Sequence, residues 1–204
     1  MSQMVVRFDS NNRDAEICIK KRNEIFFKNV SVKSLISTLE NNGYTEGASE
    51  RISLLDEQII ATNLRYVVIK QPEHKRIVTL FDKSYKINFP NAIYVVYHYD
   101  SKIKKIIAFS YKEYKGLETE LYEYPMPNEL TGNTICMGNA KKEIFNNDYV
   151  AALNRVIATP YSHANFSGIK GITNSQKWFE HLQKNKFPYK LMRPLNKKLK
   201  DIKV

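Results

Sequence analysis

One asparagine and one cysteine, eight residues apart, are the side chains whose types and spacing could do chemistry in this sequence. Pro127-Asn128 is followed by Ile135-Cys136, with Gly132 between the two pairs. A Pro-Asn turn can fix a side-chain amide, and the loop after it presents one thiol. A thiol beside a fixed hydrogen-bond donor suits acyl or thioester transfer, because the donor can stabilise the developing oxyanion. Cys136 is therefore the candidate nucleophile, and Asn128 the candidate oxyanion or loop-positioning residue.

Ordinary structural roles compete with this interpretation. A cysteine at the end of a sheet often packs as a small hydrophobe, and asparagine is a common turn residue. His163 lies in a polar loop and could deprotonate an incoming amine, since imidazole titrates near neutral pH. It could equally bond to backbone. Cys18 alternates with Ile17 and Ile19 on an expected strand, which favours packing over chemistry.

The sequence offers little for metals or nucleotides. The four histidines and two cysteines do not have metal-ligand spacing, so a zinc site is not expected. A glycine-rich phosphate loop is also absent from the sequence. We therefore expect neither a metal nor a cofactor.

Composition indicates a folded protein with substantial sheet. The 204 residues are 43% hydrophobic and 12% aromatic, with 13 tyrosines and 10 phenylalanines. Two cysteines are too few for a disulfide scaffold. The sequence shows neither a leader peptide nor an apolar run approaching the roughly 18 residues that span a bilayer. We expect a soluble protein of the reducing cytoplasm, without membrane contact.

Positive charge is concentrated at the end of the chain. The net charge is +11, from 32 basic and 21 acidic residues. From position 184 onward the basic residues are Lys184, Lys186, Lys190, Arg193, Lys197, Lys198, Lys200 and Lys203. Such a segment could bind nucleic acid or an acidic protein, or could simply be a solvated basic tail.

Hydrophobic periodicity and turn signals predict an α+β protein with an antiparallel β-meander. Expected strands cover 4–8, 15–20, 24–28, 66–69, 76–81, 93–99, 104–111 and 118–122. Ser31 is the expected cap of a helix over 32–42, which Gly43 ends, and Asn147 or Asp148 caps a second helix through Ile157. Asn174 or Ser175 caps a third, with Trp178 in its core, while 54–62 is either a short helix or irregular. This order divides the chain into an N-terminal β-hairpin and helix (1–62), a core (63–190) and a basic tail (191–204).

A meander followed by Pro-Asn, Ile-Cys and helices resembles the ubiquitin-conjugating superfamily. In those enzymes a His-Pro-Asn turn follows the sheet, and the catalytic cysteine lies eight residues after the asparagine in a Gly-x-Ile-Cys context. Here Met126 occupies the histidine position, and Gly132 lies four residues before Cys136 instead of three. The core is therefore expected to have a ubiquitin-conjugating-enzyme-like fold with flanking helices.

The whole chain is most similar to prokaryotic ubiquitin-conjugating family D, which includes protein B of the PRTRC system of plasmids and mobile elements. The features that carry this resemblance are, in order, Pro127-Asn128, Ile135-Cys136-Met137-Gly138, Tyr161-Ser162-His163, Trp178 and Phe187-Pro188. The resemblance implies a ubiquitin-like modifier held as a thioester on Cys136, supplied by a ThiF-like activating enzyme.

Met126 is the main departure from the family pattern, because it cannot make the hydrogen bond of an imidazole. This departure, together with the basic tail, leaves two alternatives to catalysis open. The protein could be an inactive conjugating-like module that only binds partners, or a nucleic-acid-binding protein that uses its basic tail.

Overall fold

A computed structural model describes residues 2–8, 14–21, 24–41, 56–162 and 169–202. The chain divides into two compact units, Met1–Leu54 and Leu55–Val204. Both combine antiparallel strands with helices, which confirms the predicted α+β class.

The first unit contains a three-stranded antiparallel sheet in the order β1-β2-β3 and one helix. Its elements are β1 (Ser2–Phe8), β2 (Asp14–Lys21), β3 (Glu24–Ser31) and α1 (Val32–Asn41). The β2–β3 hairpin is the predicted one, with Asp14 opposite Ser31 and Lys21 opposite Glu24. The Ser31 hydroxyl accepts the Ser34 N–H at 3.1 Å, so the predicted helix cap is present. Gly43, expected to end the helix, lies outside the described residues.

The second unit contains ten strands and two α-helices in its described residues. The strands are β4 (Ile59–Thr62), β5 (Tyr66–Gln71), β6 (His74–Leu80), β7 (Lys83–Phe89), β8 (Ala92–Tyr99), β9 (Lys102–Ser110), β10 (Glu120–Tyr122), β11 (Glu129–Leu130), β12 (Thr134–Ile135) and β13 (Pro194–Lys198). The helices are α2 (Tyr149–Ile157) and α3 (Ser175–Lys184). The main sheet runs β11-β12-β9-β8-β5-β4, and β10 joins β9 to β13.

Strand β8 lies at the centre of the main sheet and is buried on both faces. Tyr94 and Val96 belong to the larger core, which also contains residues of α2, α3, β6 and β7. Ile93 and Val95 face a smaller core, against which Leu195 and Leu199 of the C-terminal segment pack. An apolar run such as Ile93–Val96 is typical of a strand covered on both sides.

The pairing of two predicted strands differs from the expected meander. The segment 76–81 was expected to return along 66–69, but β5 pairs with β8 and β6 pairs with β7. Strand β7 was not predicted, although Tyr85, Ile87 and Phe89 alternate as its buried residues. Polar residues between them hid this signal, since lysine and asparagine have low strand propensity.

The segment 54–62 is also corrected. It was expected to be a short helix or irregular, whereas Ile59–Thr62 is β4, which pairs with β5. Both later helices are confirmed with their caps. Asp148 accepts the Ala151 N–H and Asn174 accepts the Lys177 N–H, each at 2.8 Å.

Residues 191–204, predicted as a basic tail, include β13 and a 3₁₀ helix at Leu199–Asp201. Glu118 accepts hydrogen bonds from Lys198 and Lys200, each at 2.7 Å, and these two bonds hold its pKa at about 2. Part of the basic charge is thus paired within the fold.

Candidate functional site

The Pro-Asn turn is built by backbone hydrogen bonds and anchored by an indole. The Glu129 N–H donates to the Met126 carbonyl at 2.9 Å, which closes a turn around Pro127 and Asn128. Just before the turn, the Pro125 carbonyl accepts the Trp178 Nε1–H at 2.7 Å. Trp178 is fully buried on α3. Helix α3 therefore fixes the entry to the turn.

The hairpin β11–β12 follows directly and joins the turn to the main sheet. Leu130 lies opposite Thr134, and Thr134 in turn pairs with Ile107 of β9. The connection is a 3₁₀ helix in which Gly132 has φ 73°, a left-handed conformation that glycine adopts without strain. The Asn133 N–H also donates to the Glu129 carboxylate at 3.1 Å. The hairpin thus fixes the position of the backbone that leads into Cys136.

Cys136 is the first residue after β12 and is half-buried. Its backbone N–H donates to the Asn128 carbonyl at 2.7 Å. The structure therefore brings the two residues of the sequence motif together through their backbones. Gly138, two residues further on, has φ 45°, a left-handed conformation that glycine adopts readily.

The Asn128 side chain lies inside the protein, with the residue only 3% exposed. Neither its Oδ1 nor its Nδ2 has a hydrogen-bond partner among the described residues. A buried carboxamide without partners is costly, because it loses its bonds to water and gains none. Such a group is a candidate for a functional role or for a bond to a bound molecule.

Met126, at the histidine position of the family motif, is completely buried and belongs to the larger core. The thioether fills space where an imidazole would need hydrogen-bond partners. At this position the turn is therefore held by packing and by the backbone bonds described above.

Burial dominates the electrostatics around the turn. It raises the pKa of Glu129, while the backbone bond from Asn133 opposes this and Glu123 adds to it. Burial also raises the pKa of Tyr94 to about 12 and that of Tyr124 well above its usual value. The hydroxyls of Tyr94 and Tyr124 lie 3.1 Å apart in the larger core and stay neutral at physiological pH.

Of the other predicted residues, His163 lies outside the described residues, although the adjoining Tyr161 is buried and donates to the Ile157 carbonyl at 3.0 Å. Cys18 lies in the first unit, on β2 opposite Val5 and Phe27. Trp178 was expected to be a core residue. Its hydrogen bond to the turn was missed, because nothing in the sequence links positions 53 residues apart.

Metal-binding clusters and membrane-spanning helices are both absent from the described residues. These residues contain no group of three or more His, Cys, Asp and Glu that could hold a metal ion. Within the same residues, none of the helices is long and apolar enough to cross a bilayer.

Comparison with known proteins gives the family. The model of prokaryotic E2 family D matches residues 31–195, most of the chain, including the turn, Cys136 and Trp178. The chain therefore belongs to prokaryotic E2 family D. Neither a curated protein nor a solved structure matches it significantly.

Proposed function

We propose that the protein carries a ubiquitin-like modifier as a thioester on Cys136 and passes it to an acceptor. Family membership supports an E2-like role in a conjugation system. The observation that carries the proposal is the 2.7 Å hydrogen bond between the Cys136 N–H and the Asn128 carbonyl, which joins the backbone of the cysteine to the Pro-Asn turn.

The chemistry needs two acyl transfers. In the first, the Cys136 thiolate attacks the thioester carbonyl that joins the modifier's C-terminus to an activating enzyme. The C–S bond to that enzyme breaks, and its thiolate leaves with the electron pair. In the second, an amine attacks the new thioester, loses a proton and releases the Cys136 thiolate. Both steps exchange one acyl bond for another and need no cofactor on this chain.

Asn128 is the proposed oxyanion or loop-positioning residue. Its buried, unpartnered carboxamide supports this role, because a bound thioester carbonyl would supply the missing acceptor for Nδ2. His163 is the proposed base for the incoming amine, a role supported by residue type and by the family resemblance.

The proposed partners are a ubiquitin-like modifier and a ThiF-like activating enzyme, in the reducing cytoplasm. The proposed setting is a plasmid or other mobile element related to the PRTRC systems. The resemblance of the core, roughly residues 65–190, to family D supports this setting. The family assignment itself supports partners of the conjugation type.

Incubation with the cognate activating enzyme, ATP and modifier tests the proposal. We expect a covalent adduct that thiols cleave, that is lost in Cys136→Ala and that persists in the matched control Cys18→Ala. An adduct on Cys18, or none with partners shown to form their own thioester, contradicts the proposal.

A non-catalytic binding module is the second candidate. The observation that favours it is the replacement of the motif histidine by the buried Met126. In that case the modifier binds with unchanged affinity to Cys136→Ala, and the wild-type protein forms no adduct.

A further inference from the structure

A cleft of about 300 Å³, lined mostly by residues with polar side chains, lies in the second unit, where β5 ends and β6 begins. Gln71, His74 and Arg76 line it together with Asn154 of α2, and Glu57 contributes to its wall. Three separate segments thus converge on one recess. None of these residues belongs to the Pro-Asn turn or to the Cys136 loop.

Asn154 organises the side chains of the cleft. Its Oδ1 accepts the Gln71 Nε2–H at 3.0 Å and also accepts a hydrogen bond from Arg76 Nη2. The carboxamide of Gln71 and the guanidinium of Arg76 therefore lie side by side, held by the same oxygen. Their geometry is fixed before any ligand arrives, which reduces the entropy lost on binding.

Several buried polar atoms in this cleft lack partners among the described residues. They are Gln71 Oε1, His74 Nε2 and Arg76 Nη1. Gln71 is only 4% exposed, so water does not readily replace the missing bond. Unpaired atoms of this kind, gathered in one recess, indicate that something outside the described chain completes their hydrogen bonds.

Arg76 has no ion-pair partner among the described residues. Glu57 contributes a carboxylate to the wall of the same cleft but does not pair with it. The charge of Arg76 acts on the buried phenols of Tyr94, Tyr124 and Tyr161, whose pKa values burial raises, so these stay neutral and supply no anion. A half-buried guanidinium without an ion-pair partner favours an incoming anion, and its planar N–H groups match a carboxylate.

The unpaired atoms of His74 and Gln71 are acceptors, so a ligand must offer them hydrogen-bond donors. His74 Nδ1 lies 2.8 Å from the Pro72 carbonyl, so Nδ1 carries the hydrogen. Burial, opposed by this bond and reinforced by Arg76, lowers the pKa of His74, so Nε2 is an acceptor at neutral pH. The unpaired buried atoms of the cleft are thus one donor, Arg76 Nη1, and two acceptors, Gln71 Oε1 and His74 Nε2.

We propose that this cleft binds a carboxylate that carries an adjacent N–H donor: the carboxylate on Arg76 and the N–H on Gln71 Oε1 or His74 Nε2. A free amino acid and the C-terminal residue of a peptide both have this chemistry. The cleft volume suits a group of this size. The site is independent of Cys136 and of the proposed conjugation activity.

Titration of the ¹⁵N-labelled full-length protein with four small probes tests the proposal. The probes are glycine, N-acetylglycine, acetate and methylamine, followed through the side-chain NMR signals of Gln71 and Arg76. We expect saturable shifts with glycine or N-acetylglycine, and at least about tenfold weaker binding of acetate and methylamine. Tighter glycine binding assigns the site to free amino acids, and tighter N-acetylglycine binding assigns it to peptide termini.

Variants separate ligand binding from folding. Gln71→Glu puts a carboxylate beside Arg76, which should keep the fold intact while weakening the best probe by about tenfold or more. Arg76→Gln should do the same by removing the cation. Lys75→Gln, on an exposed position of the same strand, should bind like wild type. Equal binding by acetate and N-acetylglycine, no saturable shift with any probe, or undiminished binding to Gln71→Glu overturns the proposal.

Discussion

Asn128 and Asn154 are two side chains of the same kind in opposite surroundings. The Asn128 carboxamide is buried and has no partner among the described residues. The Asn154 carboxamide accepts two hydrogen bonds through one oxygen. At Asn128 the unsatisfied group is the asparagine itself, whereas at Asn154 the unsatisfied atoms belong to the neighbours that it orients. Both regions therefore contain buried polar atoms without hydrogen-bond partners among the described residues. At the turn these atoms belong to the asparagine, and in the cleft they belong to residues around it.

The two regions are also held differently. Asn128 is fixed through its backbone, by the Cys136 N–H and by the turn that the Trp178 indole anchors. Asn154 is held through its side chain, by groups 83 and 78 residues earlier in the chain. Substitutions at the two sites should therefore have different consequences for stability.

The largest effect is expected at Trp178. Trp178→Ala removes a fully buried indole and should lower the free energy of unfolding by about 3–5 kcal/mol. Trp178→Phe keeps much of the ring but leaves the Pro125 carbonyl without its donor, which should cost about 1–3 kcal/mol. Urea unfolding measures both. The exposed neighbour Lys177→Ala is the control, and similar losses in the control and Trp178→Ala would refute the anchoring role.

Asn154→Leu should be the more damaging of two matched substitutions. It leaves the Gln71 amide and the Arg76 guanidinium without their shared acceptor, at a cost of about 2–3 kcal/mol. Leucine's better helix propensity on α2 offsets a few tenths of this loss. Denaturant unfolding gives the value, and an unchanged stability would show that the two donors find other acceptors.

Asn128→Leu should have the opposite sign. The substitution removes two buried polar atoms that have no partner among the described residues, so stability should stay level or rise by about 1 kcal/mol. Adduct formation on Cys136 should fall at the same time if the carboxamide stabilises the oxyanion. A clear loss of stability would mean that Asn128 already has a partner in solution.

The pH dependence of stability should reveal the neutral His74. In the unfolded chain its imidazole takes up a proton near pH 6.5, whereas burial keeps it neutral to lower pH in the folded protein. Its contribution is therefore present above pH 6.5 and is lost as the pH falls through the lowered pKa. His98 shifts in the same direction through burial, so wild type and His74→Gln are compared in a His98→Gln background. The slope between pH 7.5 and 5.5 should be smaller with His74→Gln, and an unchanged slope would contradict the assignment.

The smallest effect on stability is expected at Glu118, whose bonds to Lys198 and Lys200 are exposed. Glu118→Gln should leave unfolding nearly unchanged. If the basic segment binds nucleic acid, the released lysines should tighten binding to single-stranded or duplex DNA and steepen its salt dependence by about two phosphate contacts. Equal binding and equal salt slopes for wild type and variant would leave these lysines without a role in nucleic-acid contact.

Local patterns in the sequence were sufficient for elements that depend on neighbours along the chain. The cap at Ser31 and the β2–β3 hairpin follow from short-range chemistry and lie where they were predicted. Asp148 and Asn174 are each one of the two cap residues predicted for their helices. Strand β7 and the β5–β8 pairing were missed, because strand partners are chosen by long-range packing. The hydrogen bond from the Trp178 indole was missed for the same reason, because it joins residues that are distant in the sequence.

By itself, the sequence determined the α+β class, the family and the spacing of Asn128 and Cys136, since these depend on residue order and local periodicity. Tertiary structure decided that Asn128 is buried, that Met126 packs in the core, and that Gln71, His74, Arg76 and Asn154 share one cleft. Burial and convergence depend on which distant segments the chain brings together. That choice is made by the packing of the whole core, and no local pattern encodes it.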